Sequence, residues 1–299
     1  MRRTRQAARG PFALITMSLA LLALVIGGRP AKAQPPVWTV HGARGTLVLF
    51  GSVHLLPPDL RWQPAQLTSA LAHADELWFE LPIDEAADAD VARLTLARGE
   101  LTPGDSLFTH LDASQGEQLR QTNLALGLSS VAIARMRPWL AEMTLSLVVD
   151  MQAGARAEQG VERQLQALTP VTVRRRALET PAQQVGYLAG AAMVDQVASL
   201  DESLTEIHDS PNAYRQLVDD WMAGDLSALR AEALTPLQKA SPALYRRLIS
   251  DRNRRWAGVL QRRLANGGVI VIVVGIGHLI GPEGVPALLR AKGLEVEGP

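Results

Sequence analysis

One buried strand, followed by a glycine turn and a histidine, constrains the fold of this 299-residue chain most strongly. Residues 269–274 are six consecutive β-branched aliphatic residues, which favours a strand buried on both faces of a sheet. The chain then turns through Gly275 and Gly277 and presents His278. Open α/β sheets bind ligands outside the carboxyl ends of their strands. We therefore expect an α/β fold with a functional site near His278.

The same pattern occurs near the start of the chain. The apolar residues 46–50 predict a second strand, and Gly51-Ser-Val-His54 follows it. Glu80 ends a third apolar strand, and Glu179 follows a weaker strand at 170–178. If the four strands are parallel, these four polar residues lie at one edge of the sheet.

The long middle of the chain is predicted to be helical. Residues 84–168 and 182–265 carry helical patterns that prolines and glycines interrupt. Neither chain end alone has enough strands to bury these helices, so both ends must share one sheet. We predict an α/β fold with a mixed central sheet built from strands at both chain ends and a long, mainly helical middle.

Residues 1–33 have the composition of a signal peptide. A basic start containing Arg2, Arg3 and Arg5 precedes the apolar residues 12–26, and Ala31-Lys32-Ala33 is a cleavage motif. An uncleaved anchor is the alternative, although the apolar run is short for a membrane span. We expect export to the periplasm or the extracellular space, with residues 34–299 forming one α/β domain that has no further membrane span.

Charge and cysteine content exclude several classes of function. Six of the 30 Lys and Arg residues lie in residues 1–33, so 24 remain against 30 Asp and Glu. A domain with this net charge of −6 is a poor binder of nucleic acid. The chain contains no cysteine, which excludes disulfides, thiol catalysis and thiolate metal sites.

Two imidazoles with one or two carboxylates are suitable ligands for Mn²⁺, Co²⁺, Zn²⁺ or Fe²⁺. We assign His54, Glu80 and His278 as candidate metal ligands and catalytic residues. Glu179 is a candidate catalytic base, or a residue that only caps a helix. Each of the four could also be an ordinary hydrogen-bonding residue at a strand end or turn.

Arginines at 252, 254 and 255 are typical of a solvated helix face, but Arg252 could stabilise anionic charge if its helix points at the sheet edge. The motifs G-x-S-x-G and H-E-x-x-H are absent, and Ile280 replaces the third glycine of a G-x-G-x-x-G loop. A serine hydrolase, a zincin protease and a dinucleotide-binding domain are therefore not indicated.

Motifs spread over nearly the whole of residues 34–299 resemble the TraB/GumN family, which is related to the Tiki-type metalloproteases and to the erythromycin-esterase-like/ChaN-like superfamily. The two Gly-x-x-His turns and the glycine-rich tail are the most specific of them. The matching segments are Leu49-Phe-Gly-Ser-Val-His54, Phe79-Glu-Leu81, Arg137-Pro-Trp139, Gly160-Val-Glu162, Leu178-Glu-Thr180, Trp221-Met-Ala-Gly-Asp225, Arg252-Asn253, Val274-Gly-Ile-Gly-His278 and Gly281-Pro-Glu-Gly284.

The resemblance implies a mixed α/β fold and a divalent-metal-dependent hydrolase with His54, Glu80 and His278 as its catalytic core. Tiki-type members are peptidases that depend on Mn²⁺ or Co²⁺. The chain departs from the family pattern at Glu162, where the family has aspartate, and in the arginines at 174–176, where the family strand is apolar.

Two functional hypotheses follow. The first is an exported metallopeptidase that acts on a peptide or protein, with Arg252 stabilising the oxyanion and Glu179 or Glu162 acting as a base or as an orienting residue. The second is a non-enzymatic periplasmic accessory protein, in which the same turns bind a metal, a cofactor such as haem, or a partner.

Overall fold

A six-stranded sheet forms the centre of the molecule. The computed structural model describes residues 34–299. The strands are β1 (Val37–His41), β2 (Gly45–Ser52), β3 (Glu76–Phe79), β4 (Arg174–Ala177), β5 (Gly268–Gly275) and β6 (Glu295–Glu297). Their order across the sheet is β4-β3-β5-β2-β1-β6. The first and last strands of the chain lie side by side, so both chain ends share one sheet, as the sequence predicts.

Four strands of the sheet are parallel. β5 pairs in parallel with β2 from Gly45–Gly268 to Ser52–Gly275. β3 pairs in parallel with β5 and with β4, whereas β1 is antiparallel to β2 and to β6. The sheet is therefore mixed, and the carboxyl ends of β2, β3, β4 and β5 meet at the same edge.

Helices cover the sheet and fill the middle of the chain. They are α1 (Ala65–Ala72), α2 (Glu85–Gly99), α3 (Ala113–Leu126), α4 (Ser130–Ala134), α5 (Pro138–Gln152), α6 (Val161–Leu168), α7 (Pro181–Ala189), α8 (Met193–Asp209), α9 (Ala213–Ala223), α10 (Leu226–Ala233), α11 (Thr235–Ala240), α12 (Pro242–Tyr245), α13 (Asp251–Leu264) and α14 (Val285–Ala291). The predicted α/β class with a long helical middle is confirmed.

An aromatic cluster fixes the end of β2. The ring of Phe50 stacks on Trp62 with centroids 5.5 Å apart, and Trp221 of α9 packs against both rings. The indole N–H of Trp221 also donates to the carbonyl of Gly51 at 2.8 Å. Because Gly51 opens the first Gly-x-x-His turn, this packing holds the backbone that positions His54.

A smaller apolar core holds the helical middle together. Leu119 of α3, Leu145 of α5 and Leu200 of α8 are fully buried against one another and against Leu107 and Ile133. The helices between β3 and β4 and those after β4 therefore form one packed layer.

Helix α13 is buried along one face. Trp256, Leu260 and Leu264 are buried at helical spacing, and Arg252 is buried one turn earlier. Residues four apart lie on the same side of a helix. The apolar face of α13 thus carries an arginine towards the sheet.

Strand β4 is shorter than the predicted segment 170–178. The N–H of Val173 donates to the carbonyl of Pro170, which makes this part a turn. β4 lies at the edge of the sheet, and its side chains are exposed or half-buried. An edge strand can carry an arginine run because solvent solvates one side of it. The guanidinium of Arg175 folds back to donate to carbonyls such as that of Thr169.

The predicted signal peptide, residues 1–33, lies outside the described residues. Within residues 34–299, no helix combines the length and the hydrophobicity that a membrane crossing requires.

Candidate functional site

The carboxyl edge of the parallel strands gathers the predicted site residues. His54 follows β2, Glu80 follows β3, Glu179 follows β4 and His278 follows β5. Arg252 reaches the same place from α13, where it contacts Glu80, Glu179 and His278. The structure thus brings all five candidate residues together.

Arg252 lies at the centre of the site and is buried. Its Nε and Nη2 donate to the Glu179 carboxylate, with Nη2 2.9 Å from Oε2. Nη2 also donates to Glu80 Oε2 at 2.6 Å, and Nη1 lies 3.0 Å from Nε2 of His278. Burial disfavours the charged guanidinium, but Glu80 and Glu179 raise the pKa of Arg252. The planar guanidinium fits this two-carboxylate arrangement as a lysine would not.

Glu179 binds cationic and indole donors from α13. Its side chain is buried, and its oxygens accept hydrogen bonds from Arg252, Arg255 and the indole N–H of Trp256. The rings of Trp256 and Tyr187 also lie under the Arg252 guanidinium, at 4.7 and 5.5 Å from its central carbon. Glu179 therefore anchors Arg252 in place.

Asn253 determines the tautomer of the His278 ring, and burial determines its protonation state. Nδ1 lies 2.6 Å from Oδ1 of Asn253. An amide oxygen only accepts, so we assign the ring proton to Nδ1, which leaves the lone pair on Nε2 facing Arg252. Burial lowers the pKa of His278 from 6.5 to about 3, and the positive charge of Arg252 opposes protonation further. The ring is neutral at pH 7, as a metal-binding imidazole must be.

His54 is held through the same ring nitrogen. Its Nδ1 lies 2.7 Å from Oε1 of Glu162, which also accepts from the hydroxyl of Ser52. The Glu162 carboxylate raises the pKa of His54 from 6.5 to about 9. The side chain of His54 is 64% exposed, so the site is open to solvent at this residue.

Gly160 allows this contact to form. A Cβ at Gly160 would overlap the carbonyl oxygen of His54, and the N–H of Val161 donates to the carbonyl of Val53. The start of α6 therefore packs directly on the first Gly-x-x-His turn, which places Glu162 beside the imidazole. Glu162, where the resemblance led us to expect an aspartate, reaches His54.

Glu80 faces both histidines. Its Oε1 accepts the backbone N–H of Gly275 at 2.8 Å and lies 3.9 Å from Nε2 of His278. The same oxygen and Nε2 of His54 lie 3.3 and 3.5 Å from the position that a Cβ on Gly275 would take. Burial opposes ionisation, but the positive charges of Arg252 and His54 and the hydrogen bond from Gly275 lower the pKa of Glu80 from 4.5 to about 2.

The donor chemistry of the site fits a divalent metal ion. His54 and His278 each have Nδ1 held by a side-chain oxygen and turn Nε2 towards Glu80. Metal-binding histidines are oriented in this way by the partner of their other nitrogen. Among residues 34–299, however, no three His, Asp or Glu side chains are already arranged to hold a metal. Arg252 donates to His278 Nε2 and to Glu80, two of the groups that would bind the ion.

Sequence reasoning missed several partners of these residues. The sequence alone assigns no role to Asn253, Trp256, Tyr187 or Ser52. It places Arg255 on a solvated helix face, whereas the structure shows that Arg255 binds Glu179. The spacing of α13 carried part of the signal, because residues three and four apart share one face of a helix. Arg252, Arg255 and Trp256 have this spacing.

Comparison with known proteins identifies the family of the chain. The TraB/PrgY/gumN family matches residues 36–298. The uncharacterized protein YbaP of Escherichia coli (strain K12) is 27% identical over 248 residues, which cover 81% of this chain and 87% of YbaP. An uncharacterized protein of Treponema pallidum (strain Nichols) is 22% identical over 274 residues, which cover 86% of this chain and 80% of the relative. No solved structure matches.

Proposed function

Because the chain belongs to the TraB/PrgY/gumN family, we propose that it is an exported, divalent-metal-dependent hydrolase of the metallopeptidase type. The observation that supports this best is the matched orientation of two imidazoles. Glu162 and Asn253 hold the Nδ1 atoms of His54 and His278, so both Nε2 atoms lie on the side of Glu80. Before both atoms bind an ion, Arg252 must release Nε2 of His278 and His54 must lose its ring proton.

His54, Glu80 and His278 would hold the ion, which we expect to be Mn²⁺, Co²⁺ or Zn²⁺. A bound ion of this kind polarises a carbonyl group and lowers the pKa of a water molecule towards neutrality. The exposure of His54 leaves the site open to a substrate on that side.

The remaining residues orient the site. Glu162 holds His54, and Glu179 anchors Arg252 through two of its guanidinium nitrogens. The contacts of Glu179 favour an orienting role over that of a base, because both of its oxygens already accept hydrogen bonds. Arg252 supplies a fixed positive charge for the developing oxyanion of a peptide bond.

A second candidate is a non-enzymatic periplasmic protein that binds a metal, a cofactor or a partner at the same turns. The dense hydrogen bonding around Arg252 favours this candidate. Arg252 already neutralises the charge of Glu80 and donates to Nε2 of His278, and these are two groups that a catalytic metal ion needs. Peptide hydrolysis distinguishes the two candidates.

The test is hydrolysis of a broad peptide library by the metal-loaded protein and by His54→Ala. His54 is exposed, so its replacement leaves the packed core unchanged. His208→Ala is the matched control, because His208 is an exposed histidine that contacts Asp209 outside the site. We expect cleavage by the wild type and by His208→Ala and a loss of at least ~100-fold in His54→Ala. Equal cleavage by all three proteins would refute the assignment of the site.

Export rests on the sequence of residues 1–33. We expect the chain to be recovered from the periplasm or the medium with Gln34 as its first residue. N-terminal sequencing after cell fractionation checks this, and a full-length cytoplasmic product would contradict it.

A further inference from the structure

A cavity lies among the packed helices of the middle of the chain, apart from the site at the sheet edge. It has a volume of about 430 Å³ and is lined by residues of α5, α8, α9, α10, α11 and α12. This volume is within the range of about 300–1,000 Å³ that is usual for small-molecule sites. None of the proposed metal ligands or Arg252 lines it.

All the charged side chains of the cavity wall are acidic. Five carboxylates line it, namely Glu142, Asp150, Glu202, Glu206 and Glu232. None of the described lining residues is a lysine, an arginine or a histidine. Burial raises the pKa of Asp150 from 3.8 to about 6 and raises that of Glu206, because these groups lack compensating cations. A cation inside the cavity would offset this uncompensated charge.

An unsatisfied acceptor in the wall points to the same kind of ligand. Gln196 is 1% exposed and lines the cavity. Its Nε2 donates to the carbonyl of Ala191 at 2.8 Å, but its Oε1 has no hydrogen-bond partner among residues 34–299. A buried acceptor without a donor costs stability. The N–H groups of an organic cation can supply the donor that Gln196 lacks. Trp139, another lining residue, has a buried indole N–H that is also without a partner among the described residues.

Apolar and aromatic side chains line another part of the wall, beside four serines and Gln216. Met143, Leu217, Leu237 and Leu244 line it together with Trp139 and Tyr214. No three carboxylates among the described residues are arranged around a metal ion. An apolar surface beside buried carboxylates suits a cation that carries a hydrocarbon chain, and aromatic rings attract such cations.

We propose that this cavity is a binding site for an organic cation with an apolar chain, of the class of a primary alkylammonium. The ammonium contacts the carboxylates of α5 and α8, and the chain packs on the leucines of α9, α11 and α12. Binding here requires no metal, so the proposal is independent of the hydrolase assignment.

The test is isothermal titration of the purified, metal-free protein with hexylamine, 1-hexanol and hexanoate at pH 7.5. Hexylamine is protonated at this pH, as a lysine side chain is. The three probes share one chain length and differ in charge. We expect hexylamine to bind at least ~10-fold more tightly than hexanol, and hexanoate to show no binding, because only the cation pairs with the carboxylates of the cavity wall.

The variant Glu206→Gln, alone and with Asp150→Asn, tests the location of the site. We expect each substitution to weaken hexylamine binding by at least ~10-fold, and Glu85→Gln, which changes an exposed glutamate of α2, to leave it unchanged. Equal binding of hexylamine and hexanol by the wild type would overturn the proposal, whatever the variants do. Unchanged hexylamine binding in the folded variants would also overturn it.

Discussion

Nη1 of Arg252 lies 3.0 Å from Nε2 of His278, the nitrogen lone pair that a metal ion would use. The opposite ring nitrogen lies 2.6 Å from Asn253, which fixes the direction of that lone pair. Arg252 and a metal therefore compete for one atom of the site. Metal binding requires Arg252 to give up this bond while its contacts with Glu179 remain available.

We predict that Arg252→Ala strongly destabilises the protein. The substitution leaves the buried carboxylate of Glu179 without its bidentate partner, and breaking a buried ion pair costs about 3–5 kcal/mol. Arg254→Ala is the control on the same helix, because Arg254 is exposed and pairs with Asp251 at the surface. An exposed pair contributes at most about 1 kcal/mol. Denaturant unfolding measures both, and equal losses would contradict the structural role of Arg252.

The ionisation of His54 depends on Glu162. In the metal-free protein we predict a pKa of about 9, which falls towards 6.5 in Glu162→Gln because the largest cause of the shift is removed. The contact contributes stability below pH 6.5, and this contribution is lost as the pH rises through about 9. Titration of the His54 ring by NMR measures the pKa. Glu158→Gln, an exposed change just before α6, serves as the control, and a wild-type pKa near 6.5 would refute the prediction.

Asn253 is predicted to orient His278 for metal binding. Asn253→Ala removes the acceptor at Nδ1, and loss of such a partner lowers metal affinity by about 10–100-fold. Asn253→Asp keeps an acceptor in the same place and should recover most of the affinity. Metal dissociation constants from calorimetry, measured on variants that melt cooperatively, test this. An identical affinity in Asn253→Ala and the wild type would be the contrary result.

Asp150 is predicted to destabilise the protein at neutral pH. Its folded pKa of about 6 exceeds the unfolded value of 3.8, so folding binds a proton between these two values. Stability is therefore lost as the pH rises from about 4 to about 6. Asp150→Asn should match the wild type at pH 3.5 and exceed it at pH 7. Thermal melting at both values checks this, and a variant less stable at pH 7 would contradict it.

The sheet edge could be predicted from the sequence because its signals are local. Each of β2 and β5 is an apolar run followed by Gly-x-x-His, and the parallel register then brings His54 and His278 to one edge. The same rule predicts that Glu80 and Glu179 lie at this edge, because β3 and β4 are also parallel strands.

The individual hydrogen bonds between elements could not be predicted, although the resemblance to the family placed Glu162 at the site as a base or an orienting residue. The bonds of Asn253 with His278 and of Glu162 with His54 join residues 25 and 108 positions apart. They depend on how α13 and α6 pack on the strand ends. The acidic cavity was missed for a similar reason, because helices distant in sequence each contribute one or two carboxylates.

A thermal-shift titration with Mn²⁺, Co²⁺ and Zn²⁺ tests whether the site binds a metal. It compares the metal-stripped wild type with His278→Ala and with the control His208→Ala. A metal held by His54, Glu80 and His278 stabilises the folded state by about 2.7 kcal/mol at 100 times its Kd. We expect a saturable rise in Tm for the wild type and for His208→Ala, and no such rise for His278→Ala. No shift with any ion, or the same shift in all three proteins, would contradict it.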